Sequence, residues 1–364
     1  MYKLFSLLCL IILFNKDMQS QTLDSTKFNL FEQQFSDSIA QVNKKNEILK
    51  ESRDSYNEGL ILLRSEIYNE AIPLFNEAIR IDSNFIEAYF SRAKCYESSD
   101  DSLAIADYLK SFELDSTNLS SLYAVAIILL KSNIFHAEEM YKNILSLKID
   151  EYMAMSQIGI IAFINEKYEY SEQLFTQSLA LNANEYTLND RGSCYRKLGK
   201  LDLAISDYLA AIALNTNLAF IYSNLASVYA KQGETDKALS HYDLAISKDA
   251  NYALAYNNKA SVLMDLKEFE KAKIEIDRAL VANAIYAPAY NNKGVFNHEM
   301  KKYNEAILYF DKAIVLDVNY AKAYLNRGIS KQMIRDEDGA CSDWKKAKEL
   351  GIMMVKKYLA NDCE

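Results

Sequence analysis

The chain has 364 residues, half of them apolar, with 41 basic and 50 acidic side chains and a formal net charge of −9. Nine glycines and two prolines are too few turn-makers for an all-β protein of this length, which favours helices. The acidic balance excludes the basic face that a nucleic-acid binder normally carries, and the length points to several domains or to a repeat array.

The N-terminus stands apart. Lys3 precedes an apolar run over 4–14 (LFSLLCLIILF), and polar residues follow up to Ser20 and Gln21. A basic start, a short apolar stretch and a small residue at the cut predict a signal peptide over 1–20, with an uncleaved anchor as the alternative. The run is short of the about 20 residues that a spanning helix needs. Cys9 lies inside it, without the small residues that would precede a lipoprotein cysteine. The next most apolar stretch, 123–130 (YAVAIILL), is shorter still. The expectation is an exported protein, periplasmic or associated with the outer envelope, with no membrane span after signal removal.

Phe28, Phe31, Phe35, Ile39, Val42 and Leu49 fall on one face of a helix. We read 21–51 as an N-terminal capping helix that covers the first unit of the array behind it. The alternative is a docking or dimerisation helix.

The phrase ALAYNNKA at 253–260 returns as APAYNNKG at 287–294, 34 residues later. Aligned on that phrase, the unit occurs nine times, starting near 52, 86, 119, 152, 185, 219, 253, 287 and 321. Position 8 of the unit is always Gly or Ala, as in Gly192, Ala226, Ala260, Gly294 and Gly328. A second small residue follows eleven or twelve positions later (Ala204, Ala238, Ala272, Ala306), and a third seven beyond that (Ala211, Ala245, Ala279, Ala313). Ile144 alone breaks the third row. Small residues at these offsets let two antiparallel helices approach closely, with Tyr, Phe and Leu filling the gaps. Units close on Asp/Asn-x-Asn (82–84, 182–184, 215–217, 317–319), which suits a turn and a cap for the next helix.

This pattern resembles the tetratricopeptide repeat (TPR) family, over 52–354, and the export signal suggests the secreted, envelope type of bacteria. The resemblance implies an all-α, right-handed α-solenoid of about nine helix-turn-helix repeats, closed by N- and C-terminal capping helices, the latter with the tail at 355–364. It departs from the family at position 4, where Tyr replaces Trp in most units (Tyr89, Tyr222, Tyr256, Tyr290, Tyr324), and at position 32, where no unit has Pro. The turns of the second and third units are shortened, and 119–151 is the weakest unit.

Few residues suggest chemistry. His298-Glu299 has no second His four residues on, and His136 and His241 have no ligand partner at helical spacing. There is no phosphate-binding glycine loop, no serine nucleophile elbow and no cysteine pair at metal spacing. No catalytic residue, metal or cofactor is expected.

Position 6 is more informative, reading Asn224, Asn258, Asn292 and Asn326 in four consecutive units. The resemblance puts that face in the concave groove. A carboxamide both donates and accepts, so a row of them can grip the backbone of an extended peptide. The candidate groove comprises Asn224, Tyr256, Asn258, Asn292 and Asn326; the alternative is a row that serves the fold. The Lys/Arg pattern of a clamp for C-terminal carboxylates is absent from the matching positions. The expected function is a non-catalytic scaffold for a protein or extended peptide, with no nucleic acid. The alternative is an accessory subunit of a cell-envelope enzyme or secretion complex, docking through the N-terminal helix.

Cys341 lies ten residues before Gly351 and Cys363 twelve after it. An antiparallel helix pair folded at Gly351 sets the two side by side, a disulfide candidate in an oxidising compartment. Cys95 and Cys194 lie three units apart and are expected to be free and buried.

Overall fold

The computed structural model describes residues 25–363, and every regular element among them is helical. The segment read as a signal peptide, 1–20, lies outside the described residues. The helices are α1 (Ser25–Arg64), α2 (Tyr68–Ile81), α3 (Ile86–Tyr96), α4 (Asp101–Leu114), α5 (Ser120–Ser132), α6 (Ile134–Leu147), α7 (Tyr152–Ile164), α8 (Tyr168–Leu181), α9 (Glu185–Lys197) and α10 (Leu201–Leu214). They continue with α11 (Ala219–Gln232), α12 (Thr235–Lys248), α13 (Ala253–Asp265), α14 (Phe269–Ala282), α15 (Ala287–Glu299), α16 (Tyr303–Leu316), α17 (Ala321–Met333), α18 (Glu337–Glu349), a 3₁₀ turn (Met353–Val355) and α19 (Lys356–Asp362). The chain divides into two compact units, Met1–Ile144 and Leu145–Glu364.

Within each unit the helices pair as hairpins that stack side by side, as in an α-solenoid. Size complementarity drives the pairing. Ala306 and Ala313 on α16 are fully buried, and Gly294 on α15 leaves room for the ring of Phe310. A Cβ at Gly294 would lie 2.5 Å from Phe310 Cε1, and the same exclusion pairs Gly59 with Phe75, Gly159 with Phe175 and Gly328 with Trp344. Where the facing residue is Ile276, position 8 is Ala260. In the second unit one core cluster runs from Leu188 through Tyr208, Leu225 and Tyr242 to Val262, so each hairpin's apolar face is completed by the next.

Turn chemistry repeats as faithfully. Position 15 of seven repeats takes a left-handed backbone, with φ of 60° at Glu66, 59° at Glu166, 76° at Gly199, 82° at Gly233, 61° at Lys267, 60° at Lys301 and 65° at Arg335. Only two of these seven are glycine, the residue that best tolerates such a φ. The shortened units replace this device. In the second, Asp100 caps α4 by accepting from Ser102 N and Leu103 N. In the third, the turn contracts to Asn133 alone, whose Oδ1 accepts from Phe135 N and His136 N.

The Asp/Asn-x-Asn endings act differently from the sequence expectation. Asp82, Asn215, Asp249 and Asp317 each accept from the backbone N–H two residues on, at 2.9–3.1 Å, bending the chain between hairpins. They do not cap the helix that follows; of these endings, only Asn184 does so, accepting from Thr187 N. Tyr at position 4 fixes the same turn from the other side. Tyr222, Tyr256 and Tyr290 donate their hydroxyls to Thr216 O, Ala250 O and Ala284 O, a bond the indole N–H of Trp would have to make from another position.

The N-terminal segment departs from the expected separate cap. Residues 28–49 are continuous with the first helix of the first repeat, forming the single helix α1. Packing begins at Ser52, which is buried and donates to Ala78 O at 2.9 Å. Before it, Leu30, Ile39, Val42 and Ile48 are all exposed, and among the described side chains only Phe35 and Leu49 are half-covered. No glycine or proline occurs between 25 and 58 to stop the helix and fold it back.

At the other end, α19 packs against α18. Tyr358 stacks on Trp344 with centroids 4.9 Å apart, Val355 is fully buried, and Cys341 is disulfide-bonded to Cys363 with Cα atoms 5.6 Å apart.

Candidate functional site

In the second unit the first helices of successive hairpins, α7, α9, α11, α13, α15 and α17, touch one another in sequence order. Position 6 therefore forms a continuous row: Gln157, Asp190, Asn224, Asn258, Asn292 and Asn326. The structure shows what most of these amides do. Asn224 Nδ2 donates to Asn189 Oδ1 at 2.8 Å, and Asn326 Nδ2 donates to Asn291 Oδ1 at 2.9 Å. Asn292, 8% exposed, donates to Asn257 Oδ1 at 2.8 Å and also lies within reach of Asn257 O and Ser261 Oγ. Each bond spans from position 6 of one repeat to position 5 of the repeat before.

Asn258 is the exception. Position 5 of the preceding repeat is Ser223, too short to meet it, and among the described residues Asn258 Nδ2 donates to no group. Its Oδ1 accepts a long bond, 3.4 Å, from Asn257 Nδ2. Asn258 is half-buried, so its amide keeps donors for something outside the chain.

Tyr256 does not belong with the row. Two residues on a helix are about 200° apart around the axis, so Tyr256 faces away from Asn258. It is 9% exposed, its hydroxyl is held by Ala250 O, and it lines a recess on the second-helix side with Ile274, Asp277, Arg278 and Val281. An equivalent recess one repeat on is lined by Tyr290, Leu308, Lys312 and Val315.

The row's neighbours at position 2 are a feature that the sequence reading missed. Tyr186 and Phe220 lie four residues before Asp190 and Asn224, on the same helix face. Their rings stack with centroids 6.2 Å apart and planes 20° apart, and Tyr186 is exposed. Asp190 itself has Asn189 Nδ2 as a donor at 3.1 Å, while burial pushes its carboxyl up to about 6. The signal for this pair was in the sequence as an aromatic two residues into consecutive repeats, unremarked because position 2 is not a core position.

Position 7 carries a second unread pattern. Arg92 and Arg191 make paired bonds to Asp107 and Asp207, at 2.7 and 2.8 Å. Lys259 reaches Asp243 and Glu275, and Arg327 reaches Asp311 and Asp343. Each of these cations ties its own hairpin together and also reaches back to the hairpin before, Arg92 through Asn76 Oδ1 and Arg191 through Thr176 Oγ1. The signal was a cation with an acid fifteen or sixteen residues after it, and at Lys259 and Arg327 a second acid sixteen before, which composition alone reads as a solvated face.

The remaining candidates are structural. His298 accepts or donates through Nδ1 to Ser330 Oγ at 2.8 Å, and burial lowers its pKa. Cys95 and Cys194 are fully buried free thiols that burial pushes up to about 11, which leaves them unreactive. Among the described residues no group of three or more His, Cys, Asp or Glu side chains could hold a metal ion. No described helix is long and apolar enough to cross a membrane.

Comparison with known proteins agrees with this architecture. Models of the tetratricopeptide repeat match residues 221–251, 253–284 and 287–320, and a TPR repeat model matches 192–233. DnaJ homolog subfamily C member 3 of Gallus gallus is 30% identical over 176 residues, covering 44% of this chain and 35% of that protein, so the match spans about a third of that relative's length. Among solved structures, a tetratricopeptide repeat protein from Parabacteroides merdae ATCC 43184 superposes with a TM-score of 0.57 at 18% identity, covering 66% of this chain and 97% of that one. The APC/C hetero-tetramer Cut9-Hcn1 contains a chain that superposes with a TM-score of 0.56 at 15% identity, covering 86% of this chain and 76% of that one. These likenesses establish the fold, and the family matches show that the units between residues 192 and 320 are tetratricopeptide repeats.

Proposed function

We propose that the chain is a non-catalytic scaffold that holds an extended segment of a protein partner along the first-helix row of 185–265. The observation that carries this reading is the half-buried Asn258 amide, whose Nδ2 has no acceptor among the described residues, in line with the stacked Tyr186–Phe220 pair. Neighbouring packed helices lie about 8–10 Å apart, and an extended peptide advances about 3.3 Å per residue. One contact per repeat therefore falls on every third peptide residue. The aromatic pair supplies apolar area, and the amide supplies backbone recognition. That a chain of similar fold sits in a hetero-tetramer agrees with a role in assembly.

The same reading includes export. Its supports are Lys3 ahead of the apolar run 4–14 and the Cys341–Cys363 disulfide, which an oxidising compartment preserves.

A photo-crosslinking amino acid placed at Phe220 in the living source organism tests the groove. It should capture a protein partner, and capture should fall when Asn258→Ala or Tyr186→Ala is added. Capture from Val315, exposed on the second-helix side, with none from Phe220, would reject it.

A further inference from the structure

The arginines at position 7 each meet an aspartate, but the arginine at position 12 of the unit starting at 185 does not. Arg196 is half-buried near the end of α9. It lies seven residues after Asn189, so it falls on the same helix face, turned toward the next repeat. Among the described residues it forms no ion pair, and its Nε is buried without a hydrogen-bond partner. The hydroxyls of Tyr208 and Tyr242 lie close to it: burial raises both, and the Arg196 charge is among the influences that pull them back down. Both hydroxyls are already engaged, Tyr208 with Ser193 Oγ and Tyr242 with Ser227 Oγ, each at 3.0 Å. A guanidinium carries five N–H donors and a permanent charge, so one that is half-buried without an acid is a site for an anion.

The surrounding charges agree. Lys231 of the next repeat brings its Nζ to 3.5 Å from Arg196 O, and Lys197 is exposed beside it; neither forms an ion pair among the described residues. The acids nearby are otherwise occupied. Glu172 faces Lys200, Glu234 holds Lys237, and Asp202 accepts from Gln232 Nε2. On α9 itself, Glu185 accepts from Asn215 Nδ2, and Asp190 lies six residues before Arg196, about 9 Å away along the axis. No acid occurs on α11. One repeat further on, the matching positions 12 and 13 hold Met264 and Asp265, so the cationic edge is confined to α9 and α11.

We propose that Arg196, rimmed by Lys197 and Lys231, takes an acidic side chain of the extended segment held in the groove. The inference rests on the groove reading and adds the chemistry of the partner. The row continues on both sides of the site, to Gln157 and to Asn258, so the partner's main chain runs on past it and the anion is a side chain, not a chain end. From a main chain following position 6, the Tyr186–Phe220 pair lies about 6 Å to one side and Arg196 about 9 Å to the other. Successive side chains of an extended segment point to opposite sides. The partner therefore carries an apolar residue next to an aspartate or glutamate. Asp265 repels that acid from the following repeat, which fixes the register.

A library of random twelve-residue peptides, displayed between two carrier segments and selected on the chain from Gln21 to Glu364, tests this. Enriched peptides should carry an acid beside an aromatic or aliphatic residue. Arg196→Gln should weaken a synthetic copy of such a peptide by about tenfold or more, and Lys231→Gln, at an exposed site, should weaken it less. Replacing the peptide's acid by its amide should cause the same loss in the parent chain and none in Arg196→Gln, a comparison that does not depend on the variant's stability. Peptides that need Phe220 and Asn258 but show no acidic preference, or that bind Arg196→Gln as well as the parent, would overturn this inference and leave the groove standing. A library that yields no peptide sensitive to Phe220→Ala or Asn258→Ala would overturn both.

Discussion

Asn292 Nδ2 donates to Asn257 Oδ1 at 2.8 Å, across the joint between two consecutive repeats. The bond is buried, and Asn257 O and Ser261 Oγ complete the coordination of the same amide. Asn258, one residue along from the acceptor, reaches no equivalent partner. Two asparagines at the same position of neighbouring repeats therefore differ in role. Asn292→Ala should lower stability in urea by about 2 kcal/mol, since it leaves buried acceptors unpaired. Asn258→Ala should change stability by less than about 0.5 kcal/mol and weaken partner capture by more than about 1 kcal/mol. The reverse pattern would show that the row's binding residue has been misassigned.

The repeat itself was legible because its cause is local. Small residues at positions 8 and 20, bulk at position 24 and a 34-residue return suffice to place the helices within a few residues of where they lie. The site was legible only in part. Position 6 marked a continuous row on the first helices, but which amide is spoken for depends on whether position 5 of the previous repeat is Asn or Ser, a relation between residues 35 apart. Tyr256 was placed in the groove from proximity in sequence, which a helix converts into opposite faces. The N-terminal stripe was visible, but a sequence does not show whether a helix turns back to cover its neighbour or runs straight on.

Packing at position 8 gives a second prediction. Gly294→Ala places a methyl 2.5 Å from Phe310 Cε1 and should destabilise by about 1–3 kcal/mol despite the better helix propensity of Ala. Adding Phe310→Ile recreates the Ala260–Ile276 pairing of the preceding repeat and should recover most of that loss. A double variant no more stable than the single in thermal melts would mean that the clash is not the cause.

Asp190 predicts a pH dependence of definite sign. Its pKa is raised by burial to about 6 from the ordinary 3.8. The folded state therefore binds more protons than the unfolded one between about pH 4 and 6. The carboxylate costs stability above that window, and the cost disappears as pH falls through it. Asp190→Asn should stabilise the chain at pH 7 by about 1–2 kcal/mol, with the gain vanishing near pH 4. A gain that is constant between pH 4 and 7 would rule out the carboxyl as its source.

The terminal disulfide can be read through a single fluorophore. Trp344 is the chain's one tryptophan, fully buried beneath Tyr358. Opening the loop of Cys341–Cys363 should cost about 3 kcal/mol, released locally, so reduction or Cys363→Ser should red-shift Trp344 emission well below the melting of the rest. Non-reducing peptide mapping of protein from its native compartment checks the bond itself, and free thiol at both positions would refute it.

The bonds from position 6 to position 5 have one more consequence. Asn257-Asn258 and Asn291-Asn292 each put donor and acceptor on the same helix turn, so a repeat carries both the plug and the socket for its own kind. A segment of 34 residues can be copied or cut out at such joints without redesigning its neighbours, because what it offers forward is what it requires behind. Ser223 interrupts this interchangeability, and a lineage that gained or lost repeats by recombination would do so more freely after residue 253 than across the joint before it.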